Sequence, residues 1–314
     1  MWFLFSMLAC TVETNVEPVP DDTEVECNGF IRGTYPENGA YDAYYRTRVE
    51  FYLSEPLAEA NVIGDVDGTT ELLDGGLTVR FTPAVPLEPD SDYTFALEFC
   101  GDEPSIDFHT SATGLPLEVP VEELTQQSYD IDLLGAEFVE GDLLGTLVAW
   151  LYRGHLLAGV AEVGDAGLEW RIATAATAGP DAQDECARTL ELPVGEFRSP
   201  FFSLHEDEIV FDAYDTTLRM MDVSLEGDFV PDASRLDGVR FSGMFDGREL
   251  LELIGGDDLD AMCDLGEFAD MPCQPCPDDA APYCFWVEVD RLSAEAVPVI
   301  LQEVSEVPLE CQNP

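Results

Sequence analysis

The sequence predicts a mainly β chain in two units: a smaller amino-terminal antiparallel sandwich, then a larger disulfide-rich, mostly-β domain with minor helix. Three observations lead there. Apolar and polar residues alternate with period 2 in short runs separated by Gly, Pro and Asp. The length, 314 residues, exceeds what a single core usually serves. Nine cysteines are far more than a chain in a reducing compartment normally carries, and they point to export.

The first unit is read over residues 27–113. Tyr45, Thr47, Val49, Phe51 and Leu53 alternate with Arg46, Arg48 and Glu50. Leu77, Val79 and Phe81 alternate with Thr78 and Arg80, and Tyr93, Phe95, Leu97 and Phe99 alternate with Thr94, Ala96 and Glu98. Ile106 and Phe108 follow after a Gly-Asp turn. Each run implies a strand with one buried and one wet face.

The wording between these runs is Tyr35-Pro36-Glu37-Asn38-Gly39-Ala40, then Phe51-Tyr52-Leu53-Ser54-Glu55-Pro56-Leu57, then Phe81-Thr82-Pro83-Ala84-Val85-Pro86-Leu87-Glu88-Pro89-Asp90-Ser91-Asp92-Tyr93. This resembles the SbsA-type bacterial Ig-like domain. The resemblance implies a spacer or adhesion module at a bacterial surface, with no catalytic residue to carry over. Tyr93 stands where such sandwiches place a tyrosine corner, its hydroxyl tying back to the preceding loop.

The second unit, 114–314, resembles no family. Strand-like runs cover 129–133, 156–163, 168–174, 208–213, 218–225, 239–244 and 285–289. Gly164-Asp165, Gly227-Asp228, Asp237-Gly238 and Asp246-Gly247 read as turns between them, and 143–152 and 247–254 read as helices. The expectation is a sandwich or a partly closed barrel.

The cysteines divide into three groups. Cys10 follows the apolar run Trp2-Phe3-Leu4-Phe5-Ser6-Met7-Leu8-Ala9 and precedes an acidic stretch over 11–26, read as a flexible tether. That arrangement resembles the end of a bacterial lipoprotein signal peptide, which implies a lipidated Cys10 and attachment to the membrane through the lipid, at the outer membrane or cell surface. Cys27 and Cys100 bracket the first unit and suit a bridge. Cys186, Cys263, Cys273, Cys276, Cys284 and Cys311 remain for the second, where sequence leaves 15 connectivities open. The cluster Cys263, Cys273, Cys276, Cys284 reads as disulfide-stapled loop. Its alternatives are a zinc tetrahedron and a redox pair at Cys273-Gln274-Pro275-Cys276, but Pro277 and Pro282 deny the latter its helix.

The charge is extreme: 65 acidic residues face 13 basic ones, all arginine, for a net −52. It is spread through every segment, as a solvated surface in a saline exterior would be, and it repels nucleic acid. Asp65-Val66-Asp67-Gly68 opens like a calcium loop but has Thr70 where an EF-hand needs glycine, and 255–260 is acidic without a repeat. No metal, cofactor or catalytic residue is assigned. The three histidines, His109, His155 and His205, are isolated, with His205 beside Glu206, Asp207 and Glu208 the best of them. Two expectations from different classes follow. The first is a non-enzymatic surface lipoprotein presenting a domain that binds a protein or glycan. The second is a hydrolase with an acidic or metal site around His155 or His205.

Overall fold

A computed structural model of the protein describes residues 29–99, 101–132, 137–140, 155–213, 216–253, 256, 258–268 and 271–311. Cys10, the tether, the Cys27 and Cys100 pair and the helix expected over 143–152 lie outside the described residues. The chain is mainly β.

The first seven strands are β1 (Ile31–Tyr35), β2 (Val49–Leu53), β3 (Val62–Gly64), β4 (Gly68–Leu73), β5 (Thr78–Pro83), β6 (Asp92–Leu97) and β7 (Ser105–His109). They form two sheets, in the orders β1-β2-β5-β4 and β3-β6-β7. The alternation explains it: Val49, Phe51, Leu53, Val79, Phe95 and Leu97 point between the sheets and are almost wholly buried. Phe95 stacks on Phe108 with centroids 5.8 Å apart. The backbone N–H of Glu88 donates to Tyr93 Oη at 2.7 Å, which is the tyrosine corner the sequence predicts.

The second unit holds β8 (Ser128–Asp132), β9 (Glu137–Glu140), β10 (His155–Gly164), β11 (Gly167–Ala176), β12 (Gly179–Gln183), β13 (Leu190–Glu191), β14 (Glu196–Arg198), β15 (Phe201–Ala213), β16 (Thr216–Phe229), β17 (Arg235–Asp246) and β18 (Cys284–Val297). Every pairing among them is antiparallel, and β8 bonds to both β10 and β18. On the far side β13 pairs with β11, Leu168 bridges Gly195, and β14 continues onto β15. The meander therefore closes on itself as a barrel, with the short strands β9, β12 and β13 each paired on one side only. Of the two expected architectures, the barrel is the one found.

Its interior is filled, not hollow. Tyr129, Trp170, Phe202, Phe229, Phe245 and Phe285 belong to one buried cluster with Leu168, Leu218 and Val287. Phe229 is its aromatic hub: Trp170 stacks on it at 5.9 Å, with Tyr129 at 5.9 Å and Phe202 at 5.5 Å edge-on. At one end, helices α1 (Gly247–Leu253) and α2 (Leu259–Phe268) cover the barrel, with Leu250 of α1 in the core cluster.

Three expectations are corrected. The strands β15 to β18 run far longer than the apolar cores of their sequence runs suggest, because they pair with each other beyond the buried face. The acidic run, expected as a plain turn, ends inside a helix: Leu259 and Asp260 begin α2, whose Gly266 lies so close to the main chain that a Cβ there would meet the Met271 carbonyl at 2.5 Å. Gly227-Asp228 and Asp237-Gly238 are not turns. They sit opposite each other inside β16 and β17, where the register slips as β-bulges, and the actual turn lies at Pro231-Asp232-Ala233-Ser234.

Among the described residues, three disulfides join six cysteines: Cys186–Cys311, Cys263–Cys273 and Cys276–Cys284. The last two occupy all four cysteines of the cluster in which a zinc site was the alternative, leaving no thiolate among them to bind metal. The first spans 125 residues, a loop whose closure contributes about 5 kcal/mol in the chain-entropy account. It fastens the carboxy-terminal segment across the outside of β10 and β11, where Leu301 is buried with Leu157, Ala173 and Ala175.

Candidate functional site at the domain seam

The segment Tyr44-Tyr45-Arg46-Thr47-Arg48 leads into β2 and lies against the barrel at the end opposite its helices. Its sequence alternation reads as an ordinary strand, with Arg46 and Arg48 on the wet side. The structure uses it differently. Tyr44 Oη donates to Asp228 Oδ2, Tyr45 Oη donates to Asp228 Oδ1 at 3.0 Å, and Arg46 Nε donates to Tyr45 Oη at 2.8 Å. Asp228 is completely buried, so both its oxygens take their partners from the sandwich.

The two bulges make this fit. Gly238 has φ +60°, and a Cβ on it would stand 2.3 Å from the Tyr44 ring. Only glycine leaves room for the tyrosine there. Around this contact, the Arg46 guanidinium lies 3.7 Å from the centre of the Phe201 ring, and Thr113 Oγ1 donates to Asp237 Oδ2 at 2.8 Å. The connection between the units is equally tied down, with Leu117, Val119 and Val121 packed on the barrel core.

Burial pushes the Asp228 carboxyl up to about 6, against the opposing hydrogen bonds of Tyr44 and Tyr45 and the Arg46 charge, with Asp237 adding to the rise. Burial also pushes Tyr45 up to about 12, the Arg46 hydrogen bond opposing it, and drives Tyr44 higher still, helped by Asp228.

Beside the tyrosines, two buried carboxylates each hold two arginines. Glu50 Oε1 lies 2.9 Å from Arg48 Nε and 2.7 Å from Arg80 Nε. Asp290 meets Arg48 at 3.3 Å and Arg240 of β17 at 2.8 Å. Burial raises the Glu50 pKa, but the Tyr52 and Arg80 hydrogen bonds and the neighbouring guanidinium charges outweigh it and hold the group below its usual range. Arg48, Arg80 and Arg240, with Arg46, line a cavity of about 310 Å³ shared by both units.

The histidines do not assemble into a site. His109 is on β7, its Nδ1 2.9 Å from Asp92 and its Nε2 3.2 Å from Asp90; those hydrogen bonds raise its pKa, Asp92 contributing most. His155 sits on β10 with Nδ1 3.0 Å from Asp130. His205 is exposed in mid-β15, opposite Ser224. Neither seam cavity nor barrel core includes any of them. The calcium-like Asp65-Val66-Asp67-Gly68 forms the turn from β3 into β4, with Asp65 Oδ2 accepting the backbone N–H of Thr94 at 3.0 Å.

A second concentration of arginine is structural. Arg219 reaches Asp246, Glu249 and Asp278, while Arg248 reaches Asp246 and Asp279. These pairs tie β16 and α1 to the loop closed by Cys276–Cys284. Burial raises the pKa of Asp246, but the Arg248 hydrogen bonds together with the Arg248 and Arg219 charges outweigh it and hold the group below its usual range.

No protein-family model matches the chain, and no curated protein does. Among solved structures, an L,D-transpeptidase from Mycobacterium smegmatis aligns at 12% identity over 62% of this chain and 75% of that one, with a TM-score of 0.24. A TM-score that low carries no argument about fold or activity.

Proposed function

We propose that the chain is a non-enzymatic bacterial surface lipoprotein, tethered through a lipid on Cys10, in which an SbsA-type Ig-like spacer holds a β-barrel domain out from the membrane for contact with a protein or glycan. The observation that carries this reading is the seam. A completely buried aspartate bonded to two tyrosines joins the sandwich to the end of the barrel, so the spacer and the presented domain form one stiff body. A further feature supports it: the acidic surface suits an exterior in contact with salt.

The test is cell fractionation of the wild-type chain and of Cys10→Ser expressed in a bacterial host. Wild type is expected in the membrane fraction with a lipid-modified Cys10 by mass spectrometry, and Cys10→Ser is expected to be released. Wild type recovered in the soluble fraction with an unmodified cysteine overturns the anchored reading.

A further inference from the structure

We propose that the cavity at the domain seam is a binding site for a small tetrahedral oxyanion of the phosphate or sulfate class. The starting observation is one of distribution. The chain has 13 basic residues against 65 acidic ones, yet four of its arginines, Arg46, Arg48, Arg80 and Arg240, converge on this one cavity. Three come from the sandwich and one from the barrel, so the site exists only when the two are docked.

The wall is built before any ligand arrives. Arg46 is fixed by the Phe201 ring and Tyr45 Oη. Arg48, Arg80 and Arg240 are oriented by Glu50 and Asp290, which are buried at 5% and 2% exposure. Two acids thus stand behind four guanidinium groups. Arg48 is held from both sides, its Nε 2.9 Å from Glu50 Oε1 and its Nη2 3.3 Å from Asp290 Oδ2.

The remaining charge is met only loosely. Glu71 lies 3.5 Å from Arg80 Nη1 and Glu226 lies 3.6 Å from Arg240 Nη1; the Glu71 side chain is half-exposed and that of Glu226 one-third exposed. These two carboxylates occupy the arginine edges as a ligand's own oxygens would, and they swing out to water at little cost. Guanidinium forks set in this way recognise tetrahedral oxyanions through paired N–H donors. The volume, about 310 Å³, suits an ion or a single phosphorylated or sulfated sugar and not a polymer. The chain's overall charge works the same way: its field repels extended polyanions, while a small anion is screened from it once inside the seam. This inference goes beyond the anchored reading, because it needs neither the lipid nor the surface, and fractionation and titration fail independently.

The experiment is isothermal titration calorimetry of the full chain with inorganic sulfate, inorganic phosphate and glucose 6-phosphate, against sodium chloride at matched ionic strength. Saturable binding of at least one oxyanion is expected. Glucose 6-phosphate binding tighter than phosphate assigns a sugar-borne group, and the reverse order assigns the free ion. Ala84→Glu puts a new negative charge at the exposed rim without touching an ion pair and is expected to weaken binding about tenfold, whereas Glu71→Gln/Glu226→Gln removes the competing carboxylates and is expected to tighten it about tenfold. Val210→Glu adds the same charge on exposed β15, outside the cavity, and is expected to leave binding unchanged. No heat with any of the three oxyanions overturns the proposal. So does binding that ignores both rim variants, since it would lie elsewhere.

Discussion

Replacing Phe229 by alanine is expected to destabilise the protein by about 3–5 kcal/mol. Phe229 is wholly buried. Four other aromatic side chains, Tyr129, Trp170, Phe197 and Phe202, meet its ring at centroid distances of 5.5 to 5.9 Å. Removing it takes away the apolar surface of one large side chain and also leaves a void that rigid rings on four strands cannot collapse into. It follows Asp228 directly in β16, so the loss is felt at the seam as well as in the core. Chemical denaturation followed by tryptophan fluorescence measures this, since Trp170 stacks on the residue removed. Phe30→Ala is the comparison: Phe30 is 63% exposed, and its truncation is expected to stay within about 0.5 kcal/mol of wild type.

The second large effect is a pH dependence of unusual sign. Most buried carboxylates that accept hydrogen bonds are held ionised and lose stability in acid. At Asp228 burial wins, and the docked pKa of about 6 stands above the ordinary value of 3.8. A group raised in this way contributes stability that is fully present below about 3.8 and is lost as pH rises through about 6. A shift of about two units corresponds to about 3 kcal/mol between the two ends of that window. The groups facing Asp228 are Tyr44, Tyr45 and Arg46 from the sandwich and Asp237 from β17, and neither tyrosine ionises in this range. Asp228→Asn keeps the shape and accepts one tyrosine hydrogen bond while removing the titration. The difference in unfolding free energy between wild type and Asp228→Asn, measured from pH 4 to pH 8, is expected to move in favour of the variant as pH rises. Taking the difference cancels the titration of the other acids. A difference that is flat with pH contradicts the assignment of this group.

Much of the fold is legible in the sequence, for a physical reason. Alternating burial is a local signal, so Val49-Glu50-Phe51 and Tyr93-Thr94-Phe95 read as strands unaided. The Tyr93 corner is legible too, because its partner at Glu88 is five residues away. The barrel's closure is not local. It depends on β8 meeting β18 across more than half the chain and on the Leu168–Gly195 bridge, and nothing in either segment announces its partner. The helix α2 was missed because Gly266 and Cys263 break its propensity, while its place is set by packing on Phe285 and by the Cys263–Cys273 bridge.

The seam shows why a site can hide in plain sequence. Gly227-Asp228 and Asp237-Gly238 carry the residues of turns, and bulges draw on the same residues because both need tight backbone or positive φ. Tyr44-Tyr45 completes an alternating run, so its burial against another unit cannot be distinguished from burial in its own. One signal was present. In a chain this poor in cations, Arg46 and Arg48 two residues apart beside paired tyrosines are an uncommon local concentration of donors, better read as a contact surface than as a wet strand face.

The central claim is that sandwich and barrel form one body through Asp228. Backbone ¹⁵N relaxation of the full chain at pH 6 tests it most directly, because each domain reports its own rotational correlation time. A rigid seam is expected to give the same correlation time for residues 29–113 and for residues 155–297. A markedly shorter time for residues 29–113, as for a sandwich tumbling on a loose linker, contradicts the account.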